Sequence, residues 1–200
     1  MDHLKRLLER YPALEKLEGE ISGAYELMKE SYEKGGKLLI CGNGGSAADS
    51  DHIVGELMKG FYKERRLPEE EMEKYGELGA HLQGALPAIA LTQHCALSTA
   101  FLNDVDPKMV FAQQVYGYGQ PGDVFLGLST SGNSENVVFA ARVAAAKGMK
   151  VITMTGRDGG RLKELSDVCL IVPAQVTADI QEYHLPIYHA LCAMLEEHFF

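Results

Sequence analysis

Four hydroxyl side chains, Ser129, Thr130, Ser131 and Ser134, crowd around Gly132 and Asn133, between the apolar run DVFLGL and the helical pattern NVVFAARVAAAKG. Such a loop presents hydroxyls and unpaired backbone N–H groups at a helix N-terminus, where the helix dipole favours negative charge. It suits a phosphate group without any lysine. A helix cap uses one residue of this kind, whereas this loop has four. Gly42-Asn43-Gly44-Gly45-Ser46 has the same placement after KLLIC, and its glycines permit positive φ and close approach of backbone to ligand. Glycines after a strand are frequent, so the argument rests on two such loops facing one crevice.

The segment after GNGGS carries His52 and Glu56, four residues apart and therefore on one face of a helix. An imidazole and a carboxylate at this spacing form either a surface pair or half of a zinc site. Near the C-terminus, Gln181 and His189 stand eight residues apart and share a broad face if their helix is continuous. Pro186 lies between them and is expected to kink that helix or mark its start. Asn103 and Asp104 follow the second strand and a short connector, placed either to read sugar hydroxyls or to form an Asx turn before Pro107. His184 and His198 have no comparable partner in the sequence and read as structural or surface residues.

Positioning these groups requires strands that end where the loops begin. Apolar runs at 37–42 (KLLICG), 87–91, 123–128, 150–154 and 167–172 alternate with helical patterns at roughly 46–61, 107–118, 134–147 and 178–198. Continuous apolar strands separated by helices imply a parallel sheet covered on both faces, wound like a flavodoxin-type fold, with ligands beyond the carboxyl ends of the strands. Residues 2–34 add one or two amphipathic helices, broken near Pro12. The segment 62–86 is highly charged and long for a helix-to-strand connection. It reads as a solvated insertion or as a lid bringing Lys63, Arg65, Arg66 or His81 to the site.

Two hundred residues with 46% hydrophobic content bury one substantial core. A net charge of −9 argues against nucleic acid or an anionic membrane as the main partner, so an anionic substrate must be held by aimed local donors. The four cysteines, Cys41, Cys95, Cys169 and Cys192, show no CxxC pair or metal-type spacing. The N-terminal residues lack the apolar core of a signal peptide and no apolar run reaches about 18 residues. A cytoplasmic protein in a reducing compartment, without a membrane span, is expected.

Taken together, CGNGGSAADSDHIVGEL, LNDVD, GLSTSGNSENV, TGRDGG and IQEYHLPIYH resemble the SIS family and, within it, the phosphoheptose isomerases. The resemblance runs from about residue 35 to the C-terminus, interrupted by 62–86. The STSGNS loop is common to SIS domains, while His52, Glu56, Gln181 and His189 together point to the isomerase branch. The resemblance implies a single SIS domain over 1–200, an α/β three-layer α-β-α fold with a central five-stranded parallel sheet, and N-terminal helices packed for oligomerisation. It also implies a homotetramer with active sites at subunit interfaces and one zinc ion per subunit. Carried over, Asn43, Gly44, Gly45, Ser46, Asn103, Asp104, Ser129, Thr130, Ser131 and Ser134 would line the sugar-phosphate site, with Glu56 and Gln181. His52, Glu56, Gln181 and His189 would hold the metal, and Glu56 and His189 would transfer protons.

The implied reaction converts sedoheptulose 7-phosphate into D-glycero-D-manno-heptose 7-phosphate through an enediol. One carboxylate base and one imidazole serving the oxygens suffice, given positioning and charge stabilisation, and zinc would polarise the carbonyl. The chain departs from the family pattern at Lys59-Gly60-Phe61, where a Gly-Arg-Phe type sequence is common, and at Asp179, where an arginine is usual. Lys63, Arg65 or Arg66 is expected to supply the missing cation. The competing reading is a non-catalytic SIS protein, either a phosphosugar-sensing regulator or the adaptor that binds the bacterial replication initiator. That adaptor lacks the glutamate and the second histidine, so Glu56 and His189 discriminate.

Overall fold

The structure, a computed structural model, describes residues 2–200. The chain opens with α1 (His3–Arg10), capped by the Asp2 carboxylate accepting from Lys5 N at 3.0 Å, and α2 (Glu18–Glu33). Pro12 begins a separate 3-10 turn between them, as the expected break near that residue requires. There follow β1 (Leu38–Cys41), α3 (Gly45–Met58), the short α4 (Glu69–Lys74), β2 (Ala88–Ala90), α5 (Cys95–Asp104) and α6 (Val110–Tyr118). The chain ends with β3 (Val124–Leu128), α7 (Glu135–Ala146), β4 (Lys150–Thr155), β5 (Val168–Ile171) and α8 (Thr177–Phe199).

All five strands are parallel, in the order β2-β1-β3-β4-β5. From β1 the chain winds one way to β2, then crosses back to β3 on the other side. The winding reverses between β1 and β3, and crevices at such switch points receive ligands. Alternate residues of the strands enter opposite cores because successive side chains point to opposite faces. Leu38, Ile40, Leu126 and Met154 pack with α2, α3 and α8, whereas Leu39, Phe125 and Val151 pack with α6 and α7. The helices carrying His52, Glu56, Gln181 and His189 therefore lie in one layer, in contact with each other.

Three expectations are corrected in detail. The stretch read as a short connector before Pro107 is the helix α5, since CALSTAFLND is uninterrupted by proline or glycine. The helix drawn to residue 61 stops at Met58, because the N–H groups of Gly60, Phe61 and Tyr62 bond instead to Gln83 and Glu196. Pro186 does not start the last helix, which runs through it from Thr177.

His184 is fully buried on α8, its Nε2 3.3 Å from the Thr155 carbonyl and its Nδ1 without a partner. Burial depresses its pKa to about 4, against the opposing pull of the Thr155 bond. A proton added to Nδ1 finds no acceptor. The unfolded chain takes up that proton from about pH 6.5 downward, so the neutral side chain's contribution is complete above that pH. It is lost progressively as the pH falls toward about 4. Denaturant titrations across this range should show stability falling by up to about 3 kcal/mol from this group, and His184→Gln should flatten that limb.

Candidate functional site

The loop after β3 is folded on itself by its own hydroxyls. Ser129 Oγ donates to Ser134 Oγ at 2.9 Å, and Ser131 Oγ accepts from Asn133 N at 3.2 Å. Gly132 has a φ of +65°, and a Cβ there would collide with the Gly159 carbonyl. The loop after β4 is its buttress: Gly156 N donates to Thr130 O, Leu162 N to Gly132 O, and Arg161 N to Asn133 Oδ1. Ser134 stands at the N-cap position of α7 without capping it by its side chain, at the end where a helix's first N–H groups lack helical partners.

The loop after β1 leads into α3 through Gly44 at φ +58°. It is tied to the β3 loop by a reciprocal amide pair: Asn43 Nδ2 donates to Asn136 Oδ1 at 3.0 Å, and Asn136 Nδ2 to Asn43 Oδ1 at 2.8 Å. Gln181, in the second turn of α8, lies over the first turn of α3 and donates to Ser46 Oγ at 3.2 Å. A Cβ on Gly45 would press on this amide. The glycine-rich loop, Ser46 and Gln181 thus form one wall beside the hydroxyl-rich loop.

Further along the same two helices, His52 Nε2 is 3.1 Å from Glu56 Oε1 and 3.4 Å from His189 Nε2. Behind them, the Tyr188 hydroxyl donates to Asp49 Oδ1 at 3.2 Å and lies 3.0 Å from His52 Nδ1. Partial burial pushes the His189 pKa down and the His52 ring adds to this, while Glu56 pulls the other way. Burial raises Asp49, against the Tyr188 bond and the His52 charge. Burial and then the neighbouring Asp49 raise the Tyr188 hydroxyl. Asp49 shares the His52 face at i, i+3, a spacing visible in sequence; Tyr188 and Asn136 gave no such signal.

The same region fits a metal in its donor chemistry. Glu56 Oε2 is buried without a hydrogen-bond partner, an atom that a cation would satisfy. Two imidazoles and a carboxylate suit an ion with nitrogen and oxygen ligands, such as zinc. Among the described residues, no three or more His, Cys, Asp or Glu groups are gathered as a ready cage, and Gln181 is engaged with Ser46.

Asn103 and Asp104 end α5, both exposed, with Asn103 Nδ2 donating to Asp104 Oδ1 at 2.8 Å. The helix carries them about 12–14 Å along its axis from its first residue, Cys95. The cations expected from the charged segment are otherwise occupied. Arg65 is buried against Glu196, Lys63 Nζ lies 3.6 Å from Glu197, and Arg66 pairs with Glu64. Arg65 in particular cannot face a ligand, its side chain being wholly enclosed. His81 closes an exposed 3-10 turn. Lys59 is the cation beside the carboxylate, its Nζ 3.9 Å from Glu56 Oε2.

A family model described as SIS domain matches residues 1–86 and 74–156. The chain is 42% identical to a phosphoheptose isomerase of a Nitratiruptor species, across 100% of each chain. It is similar to the solved phosphoheptose isomerase of Neisseria gonorrhoeae, at 37% identity and a TM-score of 0.79, covering 97% of this chain and 93% of that one. It is also similar to that of Francisella tularensis, at 35% identity and a TM-score of 0.81, covering 94% and 91%.

If the hydroxyl-rich loop holds a phosphate, replacing Ser131 and Ser134 together with alanine removes two donors. Sugar-phosphate binding, followed by calorimetry, should weaken by about 1–3 kcal/mol per lost charge-assisted bond, and unchanged affinity would remove the loop from the site.

Proposed function

Because the chain belongs to the SIS-domain family, in its phosphoheptose isomerase branch, we infer that it converts sedoheptulose 7-phosphate into D-glycero-D-manno-heptose 7-phosphate. The observation that carries this reading is the meeting of Glu56 with the imidazoles of His52 and His189 on two helices beside both loops. A non-catalytic phosphosugar-binding protein has no use for a carboxylate and an imidazole so arranged.

The reaction takes a proton from the carbon next to a carbonyl and returns one to the neighbouring carbon, through an enediol. Glu56 is the base at carbon. In support, its two oxygens are differently placed: Oε1 beside His52, Oε2 enclosed without a hydrogen bond, with the Lys59 ammonium 3.9 Å away. His189 serves the substrate oxygens, since burial and the His52 ring favour the neutral imidazole, which both donates and accepts. The Ser129, Thr130, Ser131 and Ser134 loop binds the phosphate with Asn43, Gly44, Gly45 and Ser46 across the crevice. Gln181 reads hydroxyls, and Asn103 and Asp104, carried away on α5, would join it only across a subunit interface.

His52, Glu56 and His189 would hold a zinc ion, with Gln181 as a fourth ligand if its amide leaves Ser46. Zinc would supply Lewis-acid polarisation of the carbonyl. The protein is a homotetramer in this reading. Support comes from α5, in which no residue is buried although it carries Leu97, Phe101 and Leu102, and from exposed Tyr116 on α6. Its place is the cytoplasm, in keeping with four free thiols.

Two measurements test the chemistry. Glu56→Gln keeps size and hydrogen bonding but removes the base, so turnover should fall by roughly 10²–10⁴, with solvent-proton exchange lost and substrate binding preserved. Near-normal isomerisation by this variant would place the base elsewhere. Metal analysis of protein prepared without chelator should find about one zinc per chain in a nitrogen and oxygen environment. Zinc that survives His52→Ala with His189→Ala would refute the ligand set.

A further inference from the structure

The charged segment that follows α3 hides a group its composition conceals. Arg65 and Glu196 form a buried ion pair, with side chains 0% and 1% exposed and Arg65 Nε 2.8 Å from Glu196 Oε1. Burying two such charges is costly unless every donor and acceptor is matched, and here the matching is extensive. Arg65 Nη1 donates to Leu57 O at 2.6 Å and Nη2 to Glu56 O at 2.9 Å. The Glu196 carboxylate accepts from the N–H groups of Phe61, Tyr62 and Lys63. The Phe200 ring lies over the guanidinium at 4.7 Å. Burial alone would raise the Glu196 pKa, but these donors and Arg65 outweigh it, and the net shift is downward.

Both ends of this network touch the proposed proton-transfer pair. Arg65 binds the backbone carbonyl of Glu56 itself, closing the last turn of α3 where carbonyls lack helical partners. Glu196 stands two turns beyond His189 on α8 and holds Phe61, whose ring lies 5.4 Å from the His189 ring. One ion pair thus fixes the Glu56 backbone from one side and the surroundings of His189 from the other.

We propose that Arg65 and Glu196 are positioning residues that set Glu56 against His189 by locking the C-terminal end of α3 onto α8. The proposal rests on the isomerase reading above. It separates two requirements on the site, since the phosphate loops are anchored by β1, β3 and β4 and do not depend on this pair. Loosening the lock shifts the reacting groups and leaves the phosphate subsite in place. A displacement on the order of 1 Å at reacting groups costs up to about 100-fold in rate.

The test uses the full-length protein with Arg65→Lys, which keeps the charge but loses the fork, and with Arg65→Met/Glu196→Gln, which removes the charge pair while leaving an acceptor for the loop N–H groups. Thermal melting and inorganic phosphate binding are measured beside kcat and KM, together with the imidazole NMR resonances of His52 and His189. The double variant is expected to melt cooperatively, bind phosphate as the parent does, keep its KM and lose about 10–100-fold in kcat. Arg65→Lys should fall between, and both imidazole resonances should move. Folded variants with parental kcat and unmoved resonances would overturn the proposal, as would phosphate binding that falls in step with kcat, which marks general loosening. If the double variant does not fold, Arg65→Lys decides by the same readings. A parent that never isomerises the sugar refutes the functional reading, and the imidazole resonances then decide the positioning claim by themselves.

Discussion

The parallel pairing of β1 with β3 is the constraint from which the site follows. Both strands are buried on both faces, so neither can slip in register without turning apolar side chains out of two cores at once. Because the chain leaves β1 toward β2 and returns to β3 on the other side, the loops after β1 and β3 are adjacent with no helix between them. The Asn43–Asn136 amide pair holds that adjacency. In an acidic protein, convergence of N–H groups and hydroxyls is what makes an anion site affordable.

A second constraint acts through α3 and α8, which run the same way and pack on the same side of the sheet. Ser46 meets Gln181, Asp49 and His52 meet Tyr188, and Glu196 meets the turn just after α3. The contacts advance together along both helices. The end near the strands therefore adjoins the two loops after β1 and β3, and the middle holds the histidines and Glu56. A seven-carbon phosphate laid along this groove would have its charged end and its reacting end read by different turns of the same helix pair.

The charged segment illustrates how composition misleads. Its acidic helix α4 and most of the turn at 76–81 lie at the surface, as a solvated insertion should, but one residue near its start, Arg65, is enclosed in the interior. Arg65 is among the largest fully buried side chains of the protein. A charge pattern reports average solvation, whereas the burial of one arginine depends on a carboxylate 131 residues away in sequence.

Strand runs, helix periodicity, the two ligand loops and the His52–Glu56 face were legible in the sequence, because each is a local pattern set by backbone period and side-chain polarity. A parallel sheet covered on both faces was legible too, since alternating apolar strands and helices favour it, and the order β2-β1-β3-β4-β5 agrees with the flavodoxin-type winding expected. Tertiary structure alone decided that Gln181 and His189 lie on one unbroken helix despite Pro186, since packing on both sides of α8 outweighs one missing backbone bond. It alone brought Tyr188 to His52, paired Asn43 with Asn136 and enclosed Arg65 with Glu196. These contacts join residues far apart in the chain, and no local pattern records which polar group will meet another once the apolar faces have closed.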